Sequence, residues 1–278
     1  MTPRELIRQT AARFESENLP DPENDASLLL SFLTGRPALN LRLDEETVLD
    51  PAVVSAFLDL SGKRLRRVPL QYLLGEVSFF TRPFKVDSRV LIPRPETELL
   101  CEWALELVAQ ISSPRILDLC CGSGCIGLTL KAERPDAVLT LSDLSPDALK
   151  VSAENADRLS LDVEFIQSDL LDDIIGTSYD LIVSNPPYIP SAVCDNLQPE
   201  VCHEPRLALD GGLDGCDLYR RIISSAGSVL VPGGMLLMEI GISEAPVLSS
   251  LMSAHGFSDI RIRKDYAGID RMICAGLS

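Results

Sequence analysis

The tetrapeptide Asn185-Pro186-Pro187-Tyr188 carries the residue types in this 278-residue chain that point most directly to chemistry. It closes the apolar run YDLIVS, which reads as a β-strand. A rigid turn at a strand end would account for the prolines alone. It leaves unexplained an asparagine ahead of them and an aromatic ring behind. Together the residues suit an NH2 group attached to a planar system. The Asn185 side-chain oxygen can accept one N–H and the Pro186 carbonyl the other, while the Tyr188 ring covers the planar face. The prolines stiffen the backbone, so the acceptors are in place before a substrate arrives. An amide nitrogen is a poor nucleophile because its lone pair is delocalised into the carbonyl. Two acceptors aimed at its hydrogens favour a pyramidal nitrogen whose lone pair faces an electrophile. If that electrophile is already activated, positioning supplies most of the catalysis and no general base is needed. His203 is a weak alternative as a base, and His255, just before Gly256, reads as a structural helix terminus.

A second constellation lies upstream. The strand ILDL runs into CCGSGCIG, in which Gly122, Gly124 and Gly127 form a literal GxGxxG. Alone this is a weak signal, but a strand precedes it and an apolar helix follows. Such a loop brings backbone close to a ligand and offers helix N-terminal N–H groups to an anion. Asp118, at the end of the strand, would repel a pyrophosphate and could pair with an ammonium group. S-adenosylmethionine carries both a carboxylate and an ammonium. Asp143 ends the next strand, where an acid can accept from both ribose hydroxyls, and Asp169 ends the third, facing an adenine amino group. Each acid has a bland reading as a turn residue, but three at successive strand ends are harder to dismiss. An NAD(P) oxidoreductase would account for the glycines and Asp143 but not for Asp118 or Asn-Pro-Pro-Tyr.

The elements that position these residues are legible as punctuation. Thr2, Pro3 and Glu5 predict a capping box opening a helix to about Phe14; Asp21-Pro22 and Asp50-Pro51 read as further N-caps, the former helix ending at Gly35. Glu76 to Ile92 turns aromatic and β-branched and predicts a strand pair, before helical Thr97–Ile111. From Arg115 onward, strands near 116–119, 138–141, 163–166, 181–183, 235–240, 260–263 and 272–275 alternate with helices, one opened by Ser145-Pro146. Pro232-Gly233-Gly234 reads as a turn before the fifth of these strands. This is the pattern of an α/β fold with a mostly parallel sheet, whose ligands bind beyond the carboxyl ends of the strands.

Composition narrows the function classes. Apolar residues make up 46% and charged residues 24%, as in a soluble globular protein. No apolar run is long enough to span a bilayer, and the charged start MTPRELIRQT does not resemble a secretory signal, so a cytoplasmic protein with no membrane contact is expected. The chain has 41 acidic and 25 basic residues, net −16, which disfavours direct contact with nucleic acid. The excess is uneven: through Leu74 there are 9 basic and 11 acidic side chains, leaving 16 and 30 for the remainder. Lys63, Arg64, Arg66 and Arg67 form a local basic cluster that reads as a solvated helix end. The eight cysteines match no zinc spacing, despite the grouping of Cys120, Cys121 and Cys125, and read as buried thiols; no metal is expected.

The assembled motifs resemble the HemK-type release factor N5-glutamine methyltransferases (the PrmC family), within the seven-stranded class I methyltransferases. The likeness covers most of the chain: PLQYLLGEVSFF, LIPRPETE, DLCCGSG, VSNPPYIP, EPRLALDGGLDG and KDYAGIDR. It implies a seven-stranded Rossmann-like domain preceded by a small helical domain and a β-hairpin linker. The corresponding division is 1–74 for release factor recognition, 75–92 for the hairpin and 93–278 for methyl transfer. It implies S-adenosylmethionine as methyl donor and the glutamine of a Gly-Gly-Gln motif in peptide chain release factors as acceptor; separately, a monomer is expected. Cofactor contacts are implied for Cys120, Cys121, Gly122, Ser123, Gly124, Asp143, Leu170 and Asn185, in addition to the roles read above for Asp118 and Asp169. Substrate contacts are implied for Asn185, Pro186, Pro187 and Tyr188, of which Asn185, Pro186 and Tyr188 carry the catalysis. Cys120 departs from the glycine usual in this family, and would be strained if its φ were positive. Because Asn-Pro-Pro-Tyr also suits an exocyclic amino group, a nucleic-acid amino-methyltransferase is the alternative reading. A catalytically silent cofactor-binding module is a further one.

Overall fold

The computed structural model describes residues 1–278, which form two compact units. The first comprises Met1–Glu76 together with Gln198–His203; the second comprises Val77–Leu197 and Glu204–Ser278.

The first unit is helical. Thr2 caps helix Pro3–Ser16, accepting from the Glu5 N–H while the Glu5 carboxylate accepts from the Thr2 N–H, the expected capping box. Asp50 Oδ1 likewise accepts from Ala52 N at 2.7 Å and opens helix Pro51–Leu65. Asp21 differs from the expectation. It precedes helix Pro22–Thr34 in the left-handed region, with φ +48°, and its side chain makes no capping bond. A capping side chain needs extended backbone to reach the first free N–H groups. Leu6, Ile7, Phe14, Leu29, Leu30, Leu41 and Phe57 fill this unit's core. The basic cluster is not uniformly solvated: the Arg64 side chain is only 3% exposed, with Nε 2.7 Å from Asp25 and Nη1 3.0 Å from Glu200. His203 also lies in this unit, its Nε2 3.1 Å from the Arg66 carbonyl oxygen.

Next along the chain comes a hairpin of β1 (Glu76–Phe79) and β2 (Arg82–Lys85), which from Val77 onward belongs to the second unit. Its two-residue turn, Phe80-Thr81, has positive φ at both positions, as a strand-matched tight turn requires. Phe79 and Phe84 meet edge to face with ring centroids 6.0 Å apart, and both are buried in the core of this unit. Helix Pro95–Leu107 then leads to β3 (Arg115–Leu119), β4 (Val138–Asp143), β5 (Glu164–Gln167), β6 (Tyr179–Ser184), β7 (Leu230–Glu239), β8 (Phe257–Lys264) and β9 (Asp270–Leu277). These seven strands form one sheet in the order β5-β4-β3-β6-β7-β9-β8. The first five in that order are parallel, and β9 runs antiparallel to both β7 and β8. Strands β3, β4 and β6 present near-continuous buried runs, as expected where helices cover both faces.

Pro232-Gly233-Gly234 does not precede the strand as expected but lies inside β7. There the pairing with β6 shifts register between Tyr179 and Leu181, and Gly233 has φ +77°. A bulge absorbs residues that break strand regularity without ending the strand. The chain leaves β3 toward β4 and β5 on one side and later returns to β6 and β7 on the other, so the topological switch lies at β3. That is where such a sheet opens a crevice for a ligand. No helix in the structure is long and apolar enough to cross a membrane.

Candidate active site

The crevice is present. A cleft partly open to solvent lies at the carboxyl ends of β3, β4 and β6 and is walled by residues that follow them.

The glycine loop forms one wall, and its three glycines do different work. Gly122 has φ +55°, with open space where a Cβ would stand, so the backbone itself faces the cleft. Gly124 has φ +78° and begins helix Cys125–Glu133; a Cβ there would meet Ser152 Oγ at 2.9 Å and Leu141 Cδ2 at 3.0 Å. Gly127 has ordinary φ, but its Cβ would meet Asp118 Oδ2 at 2.9 Å, so it sets the close approach of the helix to β3. Cys120 sits in the left-handed region with φ +60°. Leu170, which also lines the cleft, has φ +55°. For an L-residue this conformation costs about 1–2 kcal/mol, and such costs gather at functional sites.

The three acids are placed differently from one another. Asp143 lines the cleft, and its carboxylate accepts from Gly122 N and from Ser145 N, both at 2.9 Å. Burial raises its pKa, while these backbone N–H groups oppose the rise. Asp169 also lines the cleft, with Oδ1 3.0 Å from Arg221 Nη1. Asp118 does not line it. Its side chain is fully buried behind the loop; Oδ2 accepts from Gly127 N at 2.8 Å, and Oδ1 has no hydrogen-bond partner. The expected pairing with a ligand ammonium does not match this geometry, because no carboxylate oxygen of Asp118 is exposed. Burial, reinforced by the charge on Asp143, pushes this carboxyl up to about 7.

Asn185 and Pro187, which follow β6 beside the end of β3, also line the cleft. Pro186 and Tyr188 are not part of the cleft lining; neither is Gly124. The Tyr188 hydroxyl turns toward the buried Glu239, 3.5 Å from Oε1, and burial pushes its pKa up to about 12. The backbone of this segment is gripped by the loop of EPRLALDGGLDG. Ile189 N donates to Leu209 O at 2.9 Å, Gly211 N to Ile189 O at 2.8 Å, and Ser191 N to Gly212 O at 2.8 Å. A Cβ on Gly211 would stand 2.7 Å from Tyr188 Cα and 2.8 Å from the Pro187 carbonyl oxygen, and one on Gly215 2.4 Å from the Tyr188 carbonyl oxygen. Only glycines permit this contact of backbone with backbone.

Sequence reasoning missed the side chains that support Asn185. Thr97, near the start of helix Pro95–Leu107, and Glu239, at the end of β7, are each 2% exposed. Glu239 Oε2 accepts from Thr97 Oγ1 at 2.7 Å, and Asn185 Nδ2 lies 3.4 Å from the same hydroxyl. Burial raises the pKa of Glu239, opposed by Thr97, Arg271 and Asn185. Glu204 was missed too: it accepts from Ile92 N at 2.9 Å and pairs with Arg94 on the cleft wall. Two of these, Thr97 and Glu204, stand in segments singled out above (LIPRPETE and EPRLALDGGLDG); nothing local marks Glu239. The three cysteines at the glycine loop are held as thiols. Burial, with the charge on Asp143 or Asp118 adding to it, raises the thiols of Cys120, Cys121 and Cys125, the last to about 12. His203 does not line the cleft, and His255 Nδ1 lies 2.9 Å from Leu251 O at a helix end.

A sheet of this strand order, with a glycine loop after its central strand and an Asn-Pro-Pro-Tyr turn after the neighbouring one, is the framework of the S-adenosylmethionine-dependent methyltransferases, and the chain is an enzyme of that class. Solved structures agree on the fold. A methyltransferase from Pyrococcus furiosus superposes with a TM-score of 0.53 at 12% identity, covering 72% of this chain and 91% of that one. The T. thermophilus 16S rRNA N2 G1207 methyltransferase, in complex with AdoMet and guanosine, gives 0.53 at 18%, covering 73% and 50%. The hMettl16 catalytic domain gives 0.59 at 14%, covering 91% of each chain. Residues 97–210 match the methyltransferase small domain family, and residues 5–75 the PrmC N-terminal domain family. The release factor glutamine methyltransferase of Deinococcus radiodurans is 42% identical over 98% of this chain and 97% of its own length. That of Chlorobaculum tepidum is 41% identical over 96% and 94%. The chain belongs to the release factor glutamine methyltransferase family.

Proposed function

We propose that this chain transfers a methyl group from S-adenosylmethionine to the side-chain amide nitrogen (N5) of the glutamine in the Gly-Gly-Gln motif of peptide chain release factors. The observation that carries the proposal is that Asn185 and Pro187 share one cleft with the glycine loop, Asp143 and Leu170. An acceptor for an amide N–H thus lines the same cleft as the glycine loop and the acid at the end of β4. The names of the relatives support release factors as the substrate.

The residues present fit the donor. The backbone at Gly122 is open to the cleft, Asp143 stands where ribose hydroxyls would meet it, and Ser142 brings a buried hydroxyl without a hydrogen-bond partner to the cleft wall. The loop Cys120–Ser123, Asp143, Asp169, Leu170 and Asn185 would hold the donor, with Gly124 shaping the loop from beneath. Bound there, S-adenosylmethionine supplies a methyl group already activated by its sulfonium. The protein's part is then positional. Asn185 Oδ1 and the Pro186 carbonyl accept the two amide hydrogens, which localises the nitrogen lone pair. Pro187 stiffens the turn, and Tyr188 closes the site behind it. Rigid acceptors of this kind lower a barrier because they need no reorganisation during the reaction. The helical unit of residues 1–74 is the part that holds the release factor.

The test is peptide mass spectrometry of an unmethylated release factor incubated with the protein and S-adenosylmethionine. The expected result is one added methyl on the Gly-Gly-Gln glutamine. An unmodified glutamine with cofactor binding intact would reject the acceptor and turn attention to nucleic-acid amino groups.

A further inference from the structure

We infer that Thr97 and Glu239 are positioning residues, which orient the Asn185 amide so that its oxygen, rather than its NH2 group, faces the substrate nitrogen. The inference rests on the reading of Asn185 given above and goes one step further back from the chemistry.

An asparagine side chain is nearly symmetric in shape but opposite in hydrogen bonding at its two ends. Turned one way it accepts from a substrate N–H; turned the other it points two donors at that N–H and repels it. The turn Asn185-Pro186-Pro187 sets the backbone but does not choose between these two states. The choice is made by a chain of hydrogen bonds across the unit. The Glu239 carboxylate, a pure acceptor when ionised, takes the one proton that Thr97 Oγ1 can donate, at 2.7 Å. The hydroxyl can then act only as an acceptor toward its other neighbour, Asn185 Nδ2, at 3.4 Å. The NH2 end of the amide is thereby held against Thr97, and Oδ1 is left for the cleft.

The arrangement is built rather than incidental. Thr97 and Glu239 are almost fully buried, and a carboxylate in such a place is retained only where its partners hold it. Glu239 is supported on all sides. Tyr188 OH approaches its Oε1, Tyr219 OH donates to its backbone carbonyl at 2.8 Å, and the charge on Arg271 offsets that on Glu96. One buried acid thus reaches both polar side chains of the Asn-Pro-Pro-Tyr turn, one directly and one through a threonine.

The experiment compares Thr97→Val, Thr97→Ser, Glu239→Gln and Asn185→Ala for methylation of an unmethylated release factor, with cofactor affinity by calorimetry and folding by thermal melting. Thr97→Val keeps shape and loses the relay, and is expected to lower kcat about tenfold or more, with KM for the release factor and affinity for S-adenosylmethionine within twofold of wild type. Thr97→Ser restores the hydroxyl and is expected to recover most of that loss. Glu239→Gln lowers kcat similarly, and adding it to Thr97→Val brings little further loss, since both break one chain. A folded Thr97→Val protein with wild-type kcat, beside an inactive Asn185→Ala, would overturn the positioning role and leave Asn185 in place. An active Asn185→Ala would overturn the underlying reading itself. A loss in Thr97→Val that Thr97→Ser does not recover would reduce Thr97 to packing and overturn the inference.

Discussion

At the residue scale, the cleft is held by groups kept in states that they would not adopt in isolation. Asp118 is buried with one oxygen on Gly127 N and the other unpartnered, and its carboxyl is pushed from the ordinary 3.8 up to about 7. Between those two values the folded protein holds a proton that the unfolded chain has released, so this group's contribution to stability falls as pH rises through the window. Asp118→Asn keeps an acceptor for the Gly127 N–H and removes the charge. The variant should melt above wild type near pH 8, and the difference should shrink toward pH 4; parallel melting curves across that range would contradict it. Its affinity for S-adenosylmethionine should be unchanged, whereas a large loss would return Asp118 to pairing with the ligand ammonium. Cys120 presents a different strain, a side chain at φ +60° in the ligand-facing loop. Glycine tolerates that backbone and a β-branched residue does not. Cys120→Gly should therefore bind the cofactor about as well as wild type. Cys120→Val should lose about 2 kcal/mol of stability in urea unfolding and bind the cofactor more weakly.

At the element scale, the Asn-Pro-Pro-Tyr turn rests on the glycine-rich loop that follows it. The bridge between Ile189 and Asp210, with the bonds that flank it, seats the Gly211–Gly215 loop directly on the Pro187–Tyr188 backbone. In Gly211→Ala, the new Cβ would face Tyr188 Cα at 2.7 Å and the Gly215 carbonyl oxygen at 2.7 Å, and neither backbone atom can swing aside. The turn must shift instead. A misplacement near 1 Å costs on the order of 100-fold in rate, so on the proposed reading of the site kcat should fall steeply while cofactor affinity stays close to wild type. Equal losses in both would mean that the whole cleft has collapsed. This dependence shows what could be read from sequence. The capping box, the glycine loop and Asn-Pro-Pro-Tyr are contiguous, and their physics is local. Thr97 and Glu239 lie 142 residues apart and Asn185 and Thr97 lie 88 apart, so their meeting is a product of sheet order. A carboxylate just ahead of the glycine loop predicts an Asp118 that faces the ligand. Gly127 turns it inward by letting the helix approach closely enough to take its oxygen.

At the scale of the whole molecule, the helical unit has its own core and its own buried charges, and one of those charges comes from far along the chain. Arg64 is held by Asp25, from the neighbouring helix, and by Glu200, 136 residues onward, which also pairs with Arg67. The basic cluster therefore could not be read from its own segment: its partners are 39 and 136 residues away from Arg64. Burial raises the pKa of Asp25 even with Arg64 beside it, whereas the pKa of Glu200, in a more exposed place, is lowered. The inner pair thus gains little from its own attraction, and its value lies in neither charge being stranded. Asp25→Asn leaves the buried Arg64 charge to the more exposed Glu200 alone and should cost about 3 kcal/mol. Glu200→Gln leaves Asp25 in place and should cost less, about 1 kcal/mol. Hydrogen exchange followed by mass spectrometry separates the two units. Peptides from helices Pro22–Thr34 and Pro51–Leu65 should lose protection in both variants, more in Asp25→Asn, while peptides from β3, β4 and β6 keep theirs. With the cleft intact in the second unit, affinity for S-adenosylmethionine should be unchanged. If residues 1–74 hold the release factor, the methylation defect of Asp25→Asn should appear in KM for that substrate and leave the rate at saturation near wild type. A defect confined to kcat would mean that the helical unit does not hold the substrate.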